Sequence, residues 1–268
     1  MARRRYAWTE RRIAKFMREG RGLGRGPSYL PWLTVADIPS LGKSHRVFWS
    51  VTDRQHHLLS DNEYYAFLRM CYDDRTLDIR EQFPLPRQET LRIAAELGVR
   101  HPKANGVCIV MTTDLLVKSS TGSGSIECAY AVKPDNALVD QRTLEKLDIE
   151  RVYWEKQSVA WSIIPASNVR NTASANLEWI FDCLPDDGTD SNEERLISGY
   201  LIGAIQDFGN FPLRTVCSII DGRFALRAGR TLSTARRMLS QKAFQVDLSV
   251  GSLADLPASN FVYRGELA

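Results

Sequence analysis

Two apolar stretches that should lie side by side as strands each carry one ionisable residue where a hydrophobic one belongs. Val107–Val117 and Ile126–Val132 are joined by the Gly/Ser-rich turn Ser119–Ser125, the pattern of a hairpin within a sheet. Asp114 interrupts the first run, and Lys133 ends the second directly after Ala131-Val132. Buried charges are costly and persist where they are paired or functional. The chain is therefore constrained to a sheet with a polar notch. Upstream, Glu63 falls in the first turn of a helix that Ser60 can cap, placed to enter the same notch.

A helix Glu, a strand Asp and a strand Lys, in that order, suit Mg²⁺-dependent cleavage of a phosphodiester. Mg²⁺ keeps several waters, so two carboxylates and a backbone carbonyl suffice to hold it. One or two such ions activate a water and cancel charge in the transition state, with Mn²⁺ as a substitute. Lys133 would orient that water or neutralise charge beside it. Plainer roles compete residue by residue. Ser60-Asp61-Asn62-Glu63 is a capping box, Asp114 has Arg80 as a potential partner, and Lys133, before Pro134, can reach solvent.

The 268 residues suffice for two domains, and no apolar run approaches the roughly 18 residues of a membrane span. Met1-Ala2-Arg3-Arg4-Arg5 lacks the apolar stretch of a signal peptide, so the expected location is the cytoplasm, away from membranes. Five cysteines without CxxC spacing suggest neither zinc nor a disulfide framework. Net charge is only +3, but it is unevenly spread. Residues 1–25 hold nine basic groups against two acidic ones, and residues 210–245 hold seven against one. Two basic patches suggest a polyanion contacted at two places. Arg11, Arg12, Arg21, Arg25, Arg236 and Arg237 are the candidate DNA contacts, mainly to phosphates.

Helices are expected over Glu10–Glu19, Asp61–Cys71, Glu89–Leu97, Leu138–Lys156, Ala173–Phe181, Glu193–Gln206 and Thr231–Gln241. Strands are expected at Arg46–Val51, Gln55–Leu59, Leu77–Phe83, the two stretches above and a buried Val159–Ile164. Between the last two helices, only short apolar segments are read. Gly42-Lys43-Ser44 fails as a phosphate loop because the required upstream glycine is Asp37. His56 and His57 point to opposite strand faces and read as structural, while Glu150 reads as an exposed partner of Lys146, with a supporting catalytic role as its alternative. The fold class is α/β: a restriction-endonuclease-like mixed sheet flanked by helices, then a small helical, winged-helix-like C-terminal domain. The expected domains are 1–168, catalytic, and 169–268, for partner and DNA contacts, with the polar stretch 185–192 marking a boundary. Thr231–Leu239 followed by the alternating Phe244–Leu248 supplies the recognition-helix-and-wing pattern.

Several segments carry a family resemblance. They are Glu19-Gly20-Arg21-Gly22-Leu23-Gly24-Arg25-Gly26, Tyr29-Leu30-Pro31-Trp32-Leu33-Thr34-Val35, His56-His57-Leu58-Leu59-Ser60-Asp61, Asp78-Ile79-Arg80-Glu81-Gln82-Phe83-Pro84 and Arg142-Thr143-Leu144-Glu145-Lys146-Leu147. They resemble TnsA, the restriction-endonuclease-like subunit of heteromeric cut-and-paste transposases, nearly continuously from about residue 12 to 182. The resemblance implies cleavage of transposon-end DNA at the 5′ ends, a TnsB transposase that cuts and joins the 3′ ends, and a TnsC ATPase regulator met through the C-terminal domain. It also implies Glu63, Asp114 and Lys133 as the catalytic set, with Glu63, Asp114 and the Val132 carbonyl as metal contacts. One position departs: the family has Gln where this chain has Ala131. Glu81, Gln82 and Glu150 are the candidates to fill that gap, Gln82 and Glu150 being carried forward as supporting residues. Ala131 also admits an alternative, a catalytically weakened adaptor that binds transposon ends and recruits the ATPase.

Overall fold

The polar notch lies in a four-stranded sheet that positions everything described below. The computed structural model describes residues 7–38, 43–182 and 191–265. Arg3, Arg4 and Arg5, Gly42 of the failed phosphate loop and most of the 185–192 stretch lie outside the described residues. The chain divides into two compact units that meet at Val169/Arg170.

In chain order the first unit runs α1 (Glu10–Arg18), β1 (His45–Trp49), β2 (Arg54–Leu58), α2 (Asp61–Cys71), β3 (Thr76–Pro84) and α3 (Arg87–Glu96). It continues with β4 (Lys103–Ala104), β5 (Val107–Cys108), β6 (Thr112–Thr121), β7 (Gly124–Lys133), α4 (Gln141–Lys156), β8 (Ala160–Pro165) and the single turn α5 (Ala166–Val169). The sheet order is β3-β6-β7-β8. β3/β6 and β6/β7 are antiparallel and β7/β8 is parallel, with α4 as the crossover a parallel pair requires.

Local chemistry explains the boundaries. Ser60 is extended and its side chain accepts from the Glu63 N–H, which starts α2 where expected. Asp140 does the same for α4 through Thr143 N–H. That helix begins three residues later than expected, because Asp135–Val139 form a 3₁₀ turn after Pro134. The stretch expected to be one strand from Val107 is broken between Cys108 and Thr112, and Val110 and Met111 are buried in the gap. The hairpin is tighter than its composition suggested: Thr121 pairs with Gly124, leaving only Gly122-Ser123 as the turn. β8, expected to be buried, is an edge strand with Ala160 and Ser162 exposed.

One face of the sheet packs on α3 and α4. Leu116 and Ala129 meet Ile93, Ile149 and Trp154 in a cluster of buried residues. Each such side chain contributes about 1.5–3 kcal/mol by leaving water. α2 packs on β3, β6 and β7 and buries Phe67 and Leu68.

The second unit contains α6 (Thr172–Phe181), α7 (Ser191–Asp207), α8 (Leu213–Arg223), α9 (Arg230–Ser240), β9 (Phe244–Gln245) and β10 (Val262–Tyr263). α8 replaces the expected short apolar segments; Leu213, Val216, Cys217 and Ile220 are buried at helical spacing. The strand after α9 is only two residues long, and it pairs antiparallel with β10, nearly twenty residues on.

Candidate active site

The notch forms where the side-chain period of the sheet slips. Along β3, Arg80 and Phe83 share a face: the Arg80 guanidinium lies 5.1 Å from the Phe83 ring, which is 5.7 Å from Trp154 of α4. Residues three apart on a regular strand face opposite ways. The slip falls at Gln82, a buried residue with φ of 48°. β6 slips in the same row. Thr113 accepts from Trp154 Nε1 at 2.7 Å, although Leu116, three residues on, belongs to the same buried cluster as that tryptophan. The registers Glu81↔Leu115, Phe83↔Thr113 and Leu115↔Tyr130 put Gln82, Asp114 and Ala131 on one line across the sheet. This irregular row turns the Asp114 carboxylate towards the end of β7. Its Oδ2 accepts from Val132 N–H at 2.7 Å and from Lys133 Nζ at 2.5 Å.

Glu63 enters from α2. Its carboxylate accepts from Leu59 N–H (3.0 Å), the Ser60 hydroxyl (3.0 Å) and Gln82 Nε2 (3.3 Å). The capping box is thus real, but Glu63 does more than close it: the residue is buried and its charge meets that of Asp114. Glu150, expected at the surface beside Lys146, is buried instead. It accepts from Thr113 Oγ1 at 2.8 Å and from Trp161 Nε1 at 3.1 Å. The signal was available in the sequence, since Glu150 falls on the apolar stripe of Leu147, Tyr153 and Trp154.

Burial, reinforced by the Asp114 charge, pushes the Glu63 carboxyl up to about 7, and the same two causes bring Glu150 to about 7. Burial works against the Lys133 ammonium, yet the charges of Asp114, Glu150 and Glu63 outweigh it and hold the group above its ordinary value. Three carboxylates facing one ammonium leave excess negative charge, which a divalent cation would cancel. The oxygen donors fit a hard ion. Among the described residues no three His, Cys, Asp or Glu side chains are close enough to cage a metal by themselves. The site therefore fits an ion held by two carboxylates, backbone and water, rather than a closed cage.

These shifts predict a pH dependence. The native protein retains protons on Glu63 and Glu150 that the unfolded chain has released, so the metal-free stability these two groups contribute is lost as pH rises from about 4.5 to about 7. Denaturant unfolding at pH 5 and pH 7.5 measures this, and a Glu63→Gln, Glu150→Gln double variant should flatten it. Because burial lowers the pKa of His56, His57 and His101 and so acts with the opposite sign, the difference between native and variant profiles is the readout, and no difference would contradict the burial account.

The other candidates for the Ala131 gap separate. Gln82 touches Glu63, whereas Glu81 is on the opposite face and fully engaged. Arg54 donates to both its oxygens (2.8 and 2.6 Å), His56 Nδ1 lies at 2.9 Å and His57 N–H at 3.0 Å. Burial opposes ionisation of Glu81, but the bonds from Arg54 and His56 overcome it and hold the carboxyl at about 2. Arg80 pairs with Glu127, not with Asp114, and Lys133 is only 27% exposed with its ammonium turned to Asp114.

Several expected DNA contacts are engaged internally. Arg21 lies 3.6 Å over the Phe16 ring and bonds Asp37 (2.5 Å), Glu19 (2.8 Å) and the Trp32 carbonyl (3.0 Å). Arg12 donates to the Asp37 carbonyl at 2.7 Å. Arg236 donates to the Trp179 carbonyl at 2.6 Å, and Arg237 lies 3.6 Å from Glu194. Arg11 is exposed, and Arg25 is 63% exposed, 3.6 Å from Glu127. Arg21→Ala should therefore lower stability by about 1–3 kcal/mol, leaving Asp37 underpaired, without changing the salt slope of DNA binding. Thermal melts and salt titrations check this; a lower slope at an unchanged melting point would return Arg21 to the DNA surface.

Comparison with known proteins shows the family of the chain. The family model described as TnsA-like endonuclease N terminal matches residues 73–165, which carry Gln82, Asp114, Lys133 and Glu150. The model described as TnsA endonuclease C terminal matches residues 168–248. The chain is also 37% identical over 271 residues to Transposon Tn7 transposition protein TnsA of Escherichia coli, covering 100% of this chain and 98% of that relative. An endonuclease of this kind implies a divalent metal requirement. With both halves matched and more than a third of the residues shared from end to end, the chain belongs to the TnsA family of endonucleases.

Proposed function

We propose that this chain hydrolyses the phosphodiester bonds at the 5′ ends of a transposon, as the Mg²⁺-dependent subunit of a heteromeric transposase. The observation that carries the reading is the meeting of Glu63, Asp114 and Lys133 from three separate elements, with Asp114 bonded to the lysine and its charge pressing on the buried glutamate. Glu63, Asp114 and the Val132 carbonyl would hold the metal. A divalent ion there lowers the pKa of a water and draws charge from the phosphoryl oxygens. Lys133 keeps an ammonium beside Asp114, positioned to orient that water or to neutralise charge on the scissile phosphate. Gln82 and Glu150 support the set from β3 and α4.

The proposed partners are transposon-end DNA, a TnsB transposase acting on the 3′ ends and a TnsC ATPase regulator. Residues 1–168 would cut, and residues 169–268, winged-helix-like through α9 and the β9–β10 ribbon, would meet DNA and partners. Exposed Arg11 and Arg25 are the favoured phosphate contacts of the first unit, with Arg12 and Arg21 shaping the loop that carries Arg25. Among the described residues no helix is long and apolar enough to cross a membrane, and we place the protein in the cytoplasm with its DNA substrate. Ala131, fully buried and without a side-chain ligand, favours a second reading as a weakened adaptor.

Excision reconstituted on strand-labelled transposon ends tests both readings. The first expects 5′-strand breaks that need this chain and vanish on chelation of the metal. Breaks that form without this chain would remove the nuclease assignment.

A further inference from the structure

We propose that Gln82 is the residue that positions Glu63, and that the N-terminal segment Gly20–Trp32 holds Gln82 in place. The inference rests on Glu63 being a metal ligand as read above. Gln82 has φ of 48° inside a strand, a conformation that bulky L-residues adopt only when the surroundings enforce it. The surroundings do so from outside the sheet. Trp32 N–H donates to the Gln82 carbonyl at 3.2 Å, and the Tyr29 hydroxyl donates to the preceding Glu81 carbonyl at 3.0 Å. Earlier in the same segment, Gly22 approaches Pro84 so closely that a Cβ there would lie 2.1 Å from the proline ring. These contacts pin β3 on both sides of Gln82.

The side-chain amide is then used at both ends. Thr112 Oγ1 donates to Gln82 Oε1 at 2.9 Å, and Gln82 Nε2 donates to Glu63 Oε2 at 3.3 Å. A flipped amide would put its oxygen against the carboxylate, so the network fixes the orientation. The other bonds to Glu63, from Leu59 and Ser60, come from its own helix cap. Gln82 is what ties that carboxylate to the sheet row containing Asp114. Residues that orient a metal ligand in this way typically change metal affinity about tenfold or more when removed.

Gln82→Gly is the informative variant, because glycine accepts this φ without strain while losing the amide. Melting temperature, Mn²⁺ binding followed by electron paramagnetic resonance without DNA, and cleavage against Mg²⁺ concentration are measured for it and for Tyr29→Phe. The glycine variant should stay folded, as the melting temperature reports, bind Mn²⁺ roughly tenfold more weakly, and need correspondingly more Mg²⁺ for half-maximal cleavage. Tyr29→Phe should shift both metal readouts in the same direction by less. Native Mn²⁺ affinity in Gln82→Gly overturns the positioning role. Native affinity in an Asp114→Asn control overturns the metal reading on which the role rests, a different failure seen in a different variant.

Discussion

Asp114→Asn should lose 5′-strand cleavage by on the order of 10³-fold while the chain still folds and joins its complex. Asparagine keeps an oxygen to accept from Val132 N–H, the bond that replaces a ladder contact at the end of β7. It removes the charge that would hold the metal and that pairs with Lys133. Asp114→Ala is the harsher variant, since it leaves both the Val132 N–H and the Lys133 ammonium without an acceptor. In the metal-free asparagine variant the charge pressing on Glu63 and Glu150 is gone, so both carboxyls should ionise at lower pH. Strand-resolved kinetics together with a melting curve decide the matter. Full cleavage in a folded Asp114→Asn protein would leave the adaptor reading standing.

Glu81→Ala should be among the most destabilising single changes, by roughly 3–5 kcal/mol. The carboxylate is completely buried and takes two bonds from Arg54, one from His56 and one from the His57 N–H. Its removal leaves the Arg54 guanidinium buried without a counter-ion, although the Ile79 carbonyl still accepts from it at 2.6 Å. Arg54 Nε has no hydrogen-bond partner even in the native chain, so the network has little slack. Replacing both members, Arg54→Met with Glu81→Leu, should recover much of the loss because no charge then needs a partner. A denaturant-based double-mutant cycle gives the coupling; additive losses would show that the pair does not act as a unit. The pH sign is opposite to that of Glu63. With its carboxyl held at about 2, Glu81 contributes fully above the ordinary carboxylate range and loses its contribution as pH falls towards 2.

The elements whose signals are local were readable from the chain. Ser60 and Thr9 each cap a helix by side-chain acceptance, and the apolar runs around Asp114 and Lys133 pair as neighbours, whereas the Asp140 cap sets α4 three residues later than expected. What escaped depends on tertiary context. Strict alternation assigns faces along a strand, so it could not show the slip at Gln82 and Asp114 that aims both side chains into one site. The charge of Glu150 points to the surface, whereas its place on an apolar helix stripe points inward, where it lies. In sequence Arg12 and Arg21 read as surface cations, and Asp37 and the Phe16 ring, distant or unremarkable in sequence, absorb them. The helical spacing of Leu213, Val216, Cys217 and Ile220 in α8 is legible in the sequence, although the segment reads there only as short apolar stretches.

The bonds from Tyr29 and Trp32 also bear on how the sheet meets other chains. β3 is an outer strand, and an outer strand with free carbonyls is a template on which foreign strands assemble. Here two consecutive carbonyls, those of Glu81 and Gln82, are already taken by the protein's own N-terminal segment, which removes them as acceptors for a foreign strand. β8 forms the opposite border, partly exposed along its length and ended by Pro165. At these two positions β3 is closed by its own chain rather than left as a free edge.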